Sequence, residues 1–367
     1  MTSETVRHSP LDAEHRALGG RMVPFAGWDM PIRYGSVLDE HRACRTGAVV
    51  FDVSHMGSAW VRGPGAVSAL QGLLTNDLGR ISPGRAQYTH LLDDAASVVD
   101  DLIVWWVGEE EFLVIPNASN TAPALAALEA AAAGAPGGAD VEHVTEQRAL
   151  LAVQGPEARR RLADLAPEAA AVAHFGVART TLGGGVSGFV GGTGYTGEDG
   201  VELFVPVAAA VDVWRALLAA GITPAGLGAR DTLRLEMGYP LHGHELGPGI
   251  TPLQAGLGWV VGWDKPGGFS GRDALLAEKE RGPARRLAGI LLADRQVPRA
   301  ECPVRIGGAA EAAGEVTSGN VSPTLERGIA LAFLPPGTAP GTPVEVDIRG
   351  RMAPGEVVKP PFVKSGP

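Results

Sequence analysis

Cysteine is almost missing from this chain: 367 residues hold two, Cys44 and Cys302. That excludes a disulfide framework and suits a reducing compartment, so the cytoplasm is the expected setting. No apolar run approaches the roughly 18 residues of a spanning segment, so no membrane helix is expected. The first 16 residues lack the apolar stretch of a secretion signal and mix acids with arginines, so no targeting segment is expected either. Cations are the minority, 31 Lys and Arg against 41 Asp and Glu, for a net charge of −10. This argues against nucleic acid as a partner, because neutralising phosphates needs clustered Lys and Arg. Tyrosine is scarce too: Tyr34, Tyr88, Tyr195 and Tyr239 are all there are.

What the chain has in excess is glycine, 51 residues, with 28 prolines. Together they make about one residue in five, which is turn-rich but below the roughly 25–30% that marks disorder. With 45% hydrophobic residues, the length predicts a globular protein of two or three domains.

Strands alternate irregularly with helices up to about residue 281. The reading gives strands at 58–62, 101–107, 111–115, 148–153 and on both sides of a glycine loop within 186–205. Helices are expected after Pro64, with Val67, Leu70, Leu73 and Leu74 on one face, and at 121–133, 156–165, 207–220, 228–238 and 271–281. From residue 282 onward, short β-prone runs at 287–292, 303–306, 314–318, 328–334, 343–348 and 355–358 are punctuated by Gly and Pro. That spacing predicts a small β-barrel or sandwich. The expected division is therefore 1–281, an α+β region with antiparallel sheet, and 282–367, a β-barrel.

Gly192-Thr-Gly194-Tyr-Thr-Gly197 matches a dinucleotide-binding pattern, but Val201-Glu-Leu-Phe-Val205 after it reads as a strand, where that site needs a helix. A glycine turn allowing close backbone approach is expected instead. His242 and His244 lack a neighbouring third ligand, and no metal site is expected. His55 stands beside Ser54, yet a nucleophile and its base meet in space rather than in sequence. Asp100 and Asp101 open an apolar strand, where neighbours point to opposite faces. They read as turn and strand-edge acids, or as a carboxylate at the rim of a pocket. Glu202 shares a strand face with Phe204, which suits a heterocycle with N–H donors or a solvated sheet. Arg230 and Arg234 lie one turn apart. They can pair with Asp231 or Glu236, or hold a substrate carboxylate.

Taken together, the motifs resemble a known family. Met22-Val-Pro-Phe-Ala-Gly-Trp-Asp-Met-Pro31, Tyr34-Gly-Ser, His41-Arg and Val50-Phe-Asp-Val-Ser-His-Met56 are similar to the T-protein of the glycine cleavage system. So are Asp100-Asp-Leu-Ile-Val104, the 194–202 run, Ala229-Arg-Asp-Thr-Leu-Arg-Leu-Glu236, Val316-Thr-Ser-Gly-Asn-Val-Ser-Pro323 and Val358-Lys-Pro-Pro-Phe362. The resemblance implies three domains in a cloverleaf around a central folate channel, two interleaved α+β domains and a C-terminal β-barrel. It implies an aminomethyltransferase that moves a one-carbon unit from the lipoylated H-protein to tetrahydrofolate, with no metal, membrane or nucleic acid involved. Asp100 matches the family's key acid. Glu202, Arg230, Tyr88, Tyr195, Tyr239, Met56 and Asn117 match folate-site positions. The chain departs from the family at Ala95-Ala-Ser97, where a glycine pair is usual. It departs again at Leu241-His-Gly-His-Glu245, and at Lys364, where an arginine is usual. A folate-binding accessory protein of the same fold, acting in iron–sulfur assembly or tRNA modification, is the alternative. The Lys-Gly-Cys motif of that branch is absent. A flavin-linked demethylase needs a large further domain for which these residues leave no room.

Overall fold

The structure, a computed structural model, describes residues 6–182 and 184–364. Residues 1–5, part of the segment read above for targeting, and 365–367 lie outside them.

Two sheets and a barrel carry the architecture. One sheet has six strands, Val49–Asp52, Arg148–Gln154, Val177–Leu182, Val186–Gly191, Gly200–Pro206 and Thr223–Pro224. The other has five, Ala59–Arg62, Arg85–Leu92, Val98–Gly108, Glu111–Ile115 and Asp140–His143. The chain starts the first sheet, builds the whole second sheet, then returns. The two α+β units are therefore interleaved, as the fold expectation had them.

Strand alternation explains the layering. In Arg148–Gln154 every residue is buried. Ala149, Leu151 and Val153 pack with Trp214 and Leu217 of helix Ala210–Ala219. Leu150 and Ala152 face the other way, onto Trp60, Trp105 and Leu113 of the five-stranded sheet. The far face of that sheet, with Leu102, Val104 and Phe112, is covered by helices Ala66–Leu73 and Thr121–Gly134. The result is helix, sheet, sheet, helix.

The expected elements are present with shifted ends. Helix Ala66–Leu73 starts two residues after Pro64, so its buried stripe is Ala66, Ala69 and Leu70. Val67, placed on that stripe by the sequence reading, turns to solvent at 36% exposure. Only Ala158–Leu162 of 156–165 is helical. Helix Ala210–Ala219 buries Val213, Trp214 and Leu217, while Val211 and Leu218 are half-buried. Among the described residues no helix is long and apolar enough to cross a membrane.

Strands Arg286–Leu292, Pro303–Ile306, Gly314–Val321, Gly328–Leu334, Pro343–Ile348 and Arg351–Val358 close into a barrel. Ile290, Val304, Ala332 and Val346 fill its interior. Strand Gly328–Leu334 is buried on both faces because Ile329 and Leu331 point outward onto Leu235. Leu235 belongs to helix Leu227–Met237, whose Ala229 and Leu233 pack instead between the sheets. Its Leu227 meets Trp28 and Met30 of the N-terminal strand Trp28–Arg33. One helix is thus the hub on which the lobes meet, each buried aliphatic side chain contributing about 1.5–3 kcal/mol.

Candidate functional site

The 192–199 loop joins two antiparallel strands, so no helix N-terminus is available there for a pyrophosphate. Its glycines are needed for close approach. A Cβ on Gly194 would stand 2.1 Å from Gln154 Oε1. Gly197 has φ +79°, and a Cβ there would stand 2.3 Å from Met237 Sδ. Arg45 clamps the loop, donating from Nη1 to Thr196 O and Glu198 Oε1, each at 2.8 Å. The loop presents Tyr195, whose hydroxyl donates to Pro240 O. The Tyr195 ring stacks on Tyr239 at 5.7 Å between centroids, and the Arg230 guanidinium lies 4.7 Å over its face.

The two arginines of the hub helix divide cleanly. Arg234 is spent structurally: Nε donates to Asp231 at 2.9 Å, Nη1 to Glu245 at 3.2 Å and Nη2 to Ser318 at 2.8 Å. Arg230 carries a buried Nη1 without a hydrogen-bond partner. Burial pulls its pKa down, against the opposing pull of Glu202 and Tyr195. Glu202 faces the same interior as Phe204 and accepts from Thr193 Oγ1 at 2.5 Å. An unpaired guanidinium, a carboxylate and two phenol rings therefore converge there.

The aspartates separate by alternation. Ile103 and Trp105 face the space between the sheets, whereas Leu102 and Val104 face the outer helices. Asp101 shares the inner face and Asp100 the outer one. Asp100, expected to be the key acid, has no solvent exposure. It accepts from Asn117 N at 3.0 Å, Asn117 Nδ2 at 2.8 Å and Asn120 Nδ2 at 2.7 Å. Asp101 is half-buried and accepts from Tyr88 OH at 2.9 Å and Asn117 Nδ2 at 2.9 Å. Burial raises the pKa of both. Asp101's charge raises Asp100 further, while Tyr88, His242 and Asn117 pull Asp101 back. Tyr88, Tyr195, Tyr239, Glu202, Arg230, Met56, Asn117 and Asp101 are all half-buried. Asp100 alone of the expected residues is sealed, whereas its neighbour Asp101 reaches the half-buried interior with the others.

Met56 sits on the 53–58 loop, which rests on a residue the sequence reading missed. Arg148 is fully buried and spends its guanidinium on Ser54 O at 2.9 Å, Met56 O at 2.5 Å and Ser58 Oγ at 3.0 Å. Burial pushes its pKa down to about 9. The available signal was an arginine opening the apolar run Ala-Leu-Leu-Ala-Val153. His55, on the same loop, is buried edge-on to Phe25 at 5.4 Å, and burial beside Arg230 holds it neutral with a pKa of about 3.

His242 and His244 donate to separate carbonyls, Val98 O at 3.2 Å and Thr317 O at 2.8 Å. Among the described residues one ligand-type trio, His8, Asp12 and Asp29, comes together elsewhere, with Arg16 already paired to both acids. Lys364 is exposed.

The model of the GCVT N-terminal domain matches residues 11–265, and that of the glycine cleavage T-protein C-terminal barrel domain matches 285–364. The chain belongs to the glycine cleavage T-protein family. It is 49% identical to an aminomethyltransferase of Mycolicibacterium paratuberculosis over 362 residues, 97% of this chain and 96% of that one. It is likewise 49% identical to an aminomethyltransferase of Frankia alni, covering 99% of both. The crystal structure of glycine cleavage system aminomethyltransferase T from Bartonella henselae superposes with a TM-score of 0.90 at 34% identity, covering 98% of each chain. Ala95-Ala-Ser97 leads into the strand that carries the two aspartates. Ala96 keeps a left-handed φ of 65°, in a turn where Asp93 Oδ1 accepts from Ala95 N and Ser97 N.

Proposed function

We propose that this chain is the aminomethyltransferase of a glycine cleavage system. It takes the one-carbon unit from the S-aminomethyldihydrolipoyl arm of the H-protein and passes it to tetrahydrofolate. The products are 5,10-methylenetetrahydrofolate, ammonia and dihydrolipoyl H-protein. The two hydrogens displaced from the folate nitrogens end on sulfur and on ammonia, so no oxidant is required. The observation that carries this reading is identity near one half, end to end, with relatives named aminomethyltransferase.

The central residues suit the co-substrate. Tetrahydrofolate supplies the two nitrogens that bind the carbon. Glu202 accepts from pterin N–H groups, and Tyr195 and Tyr239 wall the ring. Met56 closes the apolar side. Arg230 offers its unpaired Nη1 to an oxygen of the ligand. Asp101 holds its carboxylate for a folate N–H, fixed by Tyr88 and Asn117. Asp100 supports that strand end from behind. Much of the acceleration comes from placing two reactants together. The reading includes a cytoplasmic setting, which two free thiols suit, and a division of the chain at 281/282, just before the barrel strands.

Calorimetric titration of tetrahydrofolate tests the assignment. Arg230→Met keeps the aliphatic stem against Tyr195 and removes the charged donor. The expected loss is about 10–100-fold in affinity. Unchanged affinity contradicts the assignment.

A further inference from the structure

His90 is fully buried, and no motif used above includes it. It stands on strand Arg85–Leu92, two residues from Tyr88 and directly across the ladder from Asp101. All three share one sheet face. His90 Nε2 lies 3.3 Å from Tyr88 OH, and Tyr88 OH lies 2.9 Å from Asp101 Oδ2. His90 Nδ1 is buried without a partner.

We propose that His90 is a positioning residue for Asp101 and acts through the Tyr88 hydroxyl. The proposal deepens the function proposed above and rests on it for the role of Asp101.

Proton counting supplies the argument. Burial, with His242 nearby, holds His90 neutral, so its ring has one N–H. The Tyr88 hydroxyl has one proton and two neighbours. With Asp101 ionised, if that proton points at His90, two oxygens face each other bare at 2.9 Å, and the ring N–H is left at Nδ1 with no acceptor. If it points at Asp101, the ring N–H sits on Nε2 and donates to the Tyr88 oxygen. Only a lone pair at Nδ1 then goes unused. A buried unmet acceptor costs less than repelling oxygens plus a stranded donor. The Nε2–H tautomer of His90 therefore holds the Tyr88 hydroxyl oriented to donate to the carboxylate, and the chain of bonds strengthens the last one. The ionised form of Asp101 gains.

Five titratable groups bear on this carboxylate: Tyr88 and His90 on the adjacent strand, Asp100 on its own strand, His242 beyond the hub helix, and Tyr195 on the glycine loop. Removing His90 weakens the support of the charge, so the Asp101 pKa rises.

The test compares wild type with His90→Leu, His90→Gln and Tyr88→Phe, assayed with tetrahydrofolate and aminomethylated H-protein across pH. For His90→Leu the acid limb of kcat moves up by about one pH unit, with KM for tetrahydrofolate within about twofold. His90→Gln, which keeps an N–H donor, returns the limb toward wild type. Tyr88→Phe cuts the relay in its middle and moves the limb at least as far, and if His90→Leu does not fold, the size of the shift in His90→Gln and the limb of Tyr88→Phe keep the proposal open to refutation. A wild-type acid limb in folded His90→Leu overturns the proposal, as does one in Tyr88→Phe. Asp101→Asn is run alongside. Full turnover there removes the underlying role of Asp101, whereas an inactive Asp101→Asn with a normal His90→Leu removes only the relay.

Discussion

Adjacent aspartates with the same composition and opposite faces do different work. Asp100 accepts three N–H donors and sees no solvent. An asparagine there presents an amide donor to at least one of those donors. Asp100→Asn should therefore cost about 2 kcal/mol in urea unfolding, while turnover per folded molecule stays within about tenfold. A variant as stable as wild type contradicts the supporting role. The sequence could show that the two acids face opposite ways. It could not show which face is the interior of the site, because that depends on the outer helices covering Leu102 and Val104.

At the level of elements, the sequence revealed those whose buried side chains are apolar. The barrel strands and the helix at 228–238 were legible because Val, Ile and Leu recur at the right period and Gly or Pro ends each run. Gly238, in the left-handed conformation, stops the hub helix as such a residue should. Helix Val37–Thr46 was not readable as a helix. Its buried residues are Glu40, His41 and Cys44, so its inner face looks polar in sequence. Glu40 is sealed because it accepts from Tyr34 N at 2.7 Å and Gly226 N at 2.9 Å. The site was legible mainly as a set of family motifs. Composition alone could not separate Arg230 from Arg234, and only tertiary packing shows that Arg234 is spent on Asp231, Glu245 and Ser318. His90 was invisible for the same reason, since its meaning lies across a ladder from Asp101.

Across the whole molecule, one carboxylate ties the lobes. Glu236, fully buried on the hub helix, accepts from Arg45 Nη2 at 2.8 Å, Ser322 Oγ at 2.5 Å and Thr324 N at 3.1 Å, with His41 Nε2 at 3.2 Å. These partners come from helix Val37–Thr46 and from the turn that follows barrel strand Gly314–Val321, and Arg45 also holds the glycine loop. Burial pushes this carboxyl up, but the His41, Ser322 and Arg45 hydrogen bonds outweigh it and hold the pKa at about 2. A depressed folded pKa contributes stability above about pH 4.5 that is lost as pH falls toward 2. Asp52, held at about 2 by His15, Ser54 and Ser9 against its burial, adds to the same slope. Glu236→Gln should cost about 3 kcal/mol at pH 7. It should also flatten, without abolishing, the acid dependence of the urea midpoint between pH 5 and 2. An unchanged slope contradicts this account of how the barrel is held.

The central claim is that the half-buried residues around Asp101 carry one-carbon transfer from a lipoyl arm to folate. Single-turnover formation of 5,10-methylenetetrahydrofolate from aminomethylated H-protein and tetrahydrofolate measures it directly. Wild type should form product stoichiometrically, and Asp101→Asn should be slowed by at least about 100-fold while still binding tetrahydrofolate. No product from wild type, or a wild-type rate from Asp101→Asn, contradicts the account.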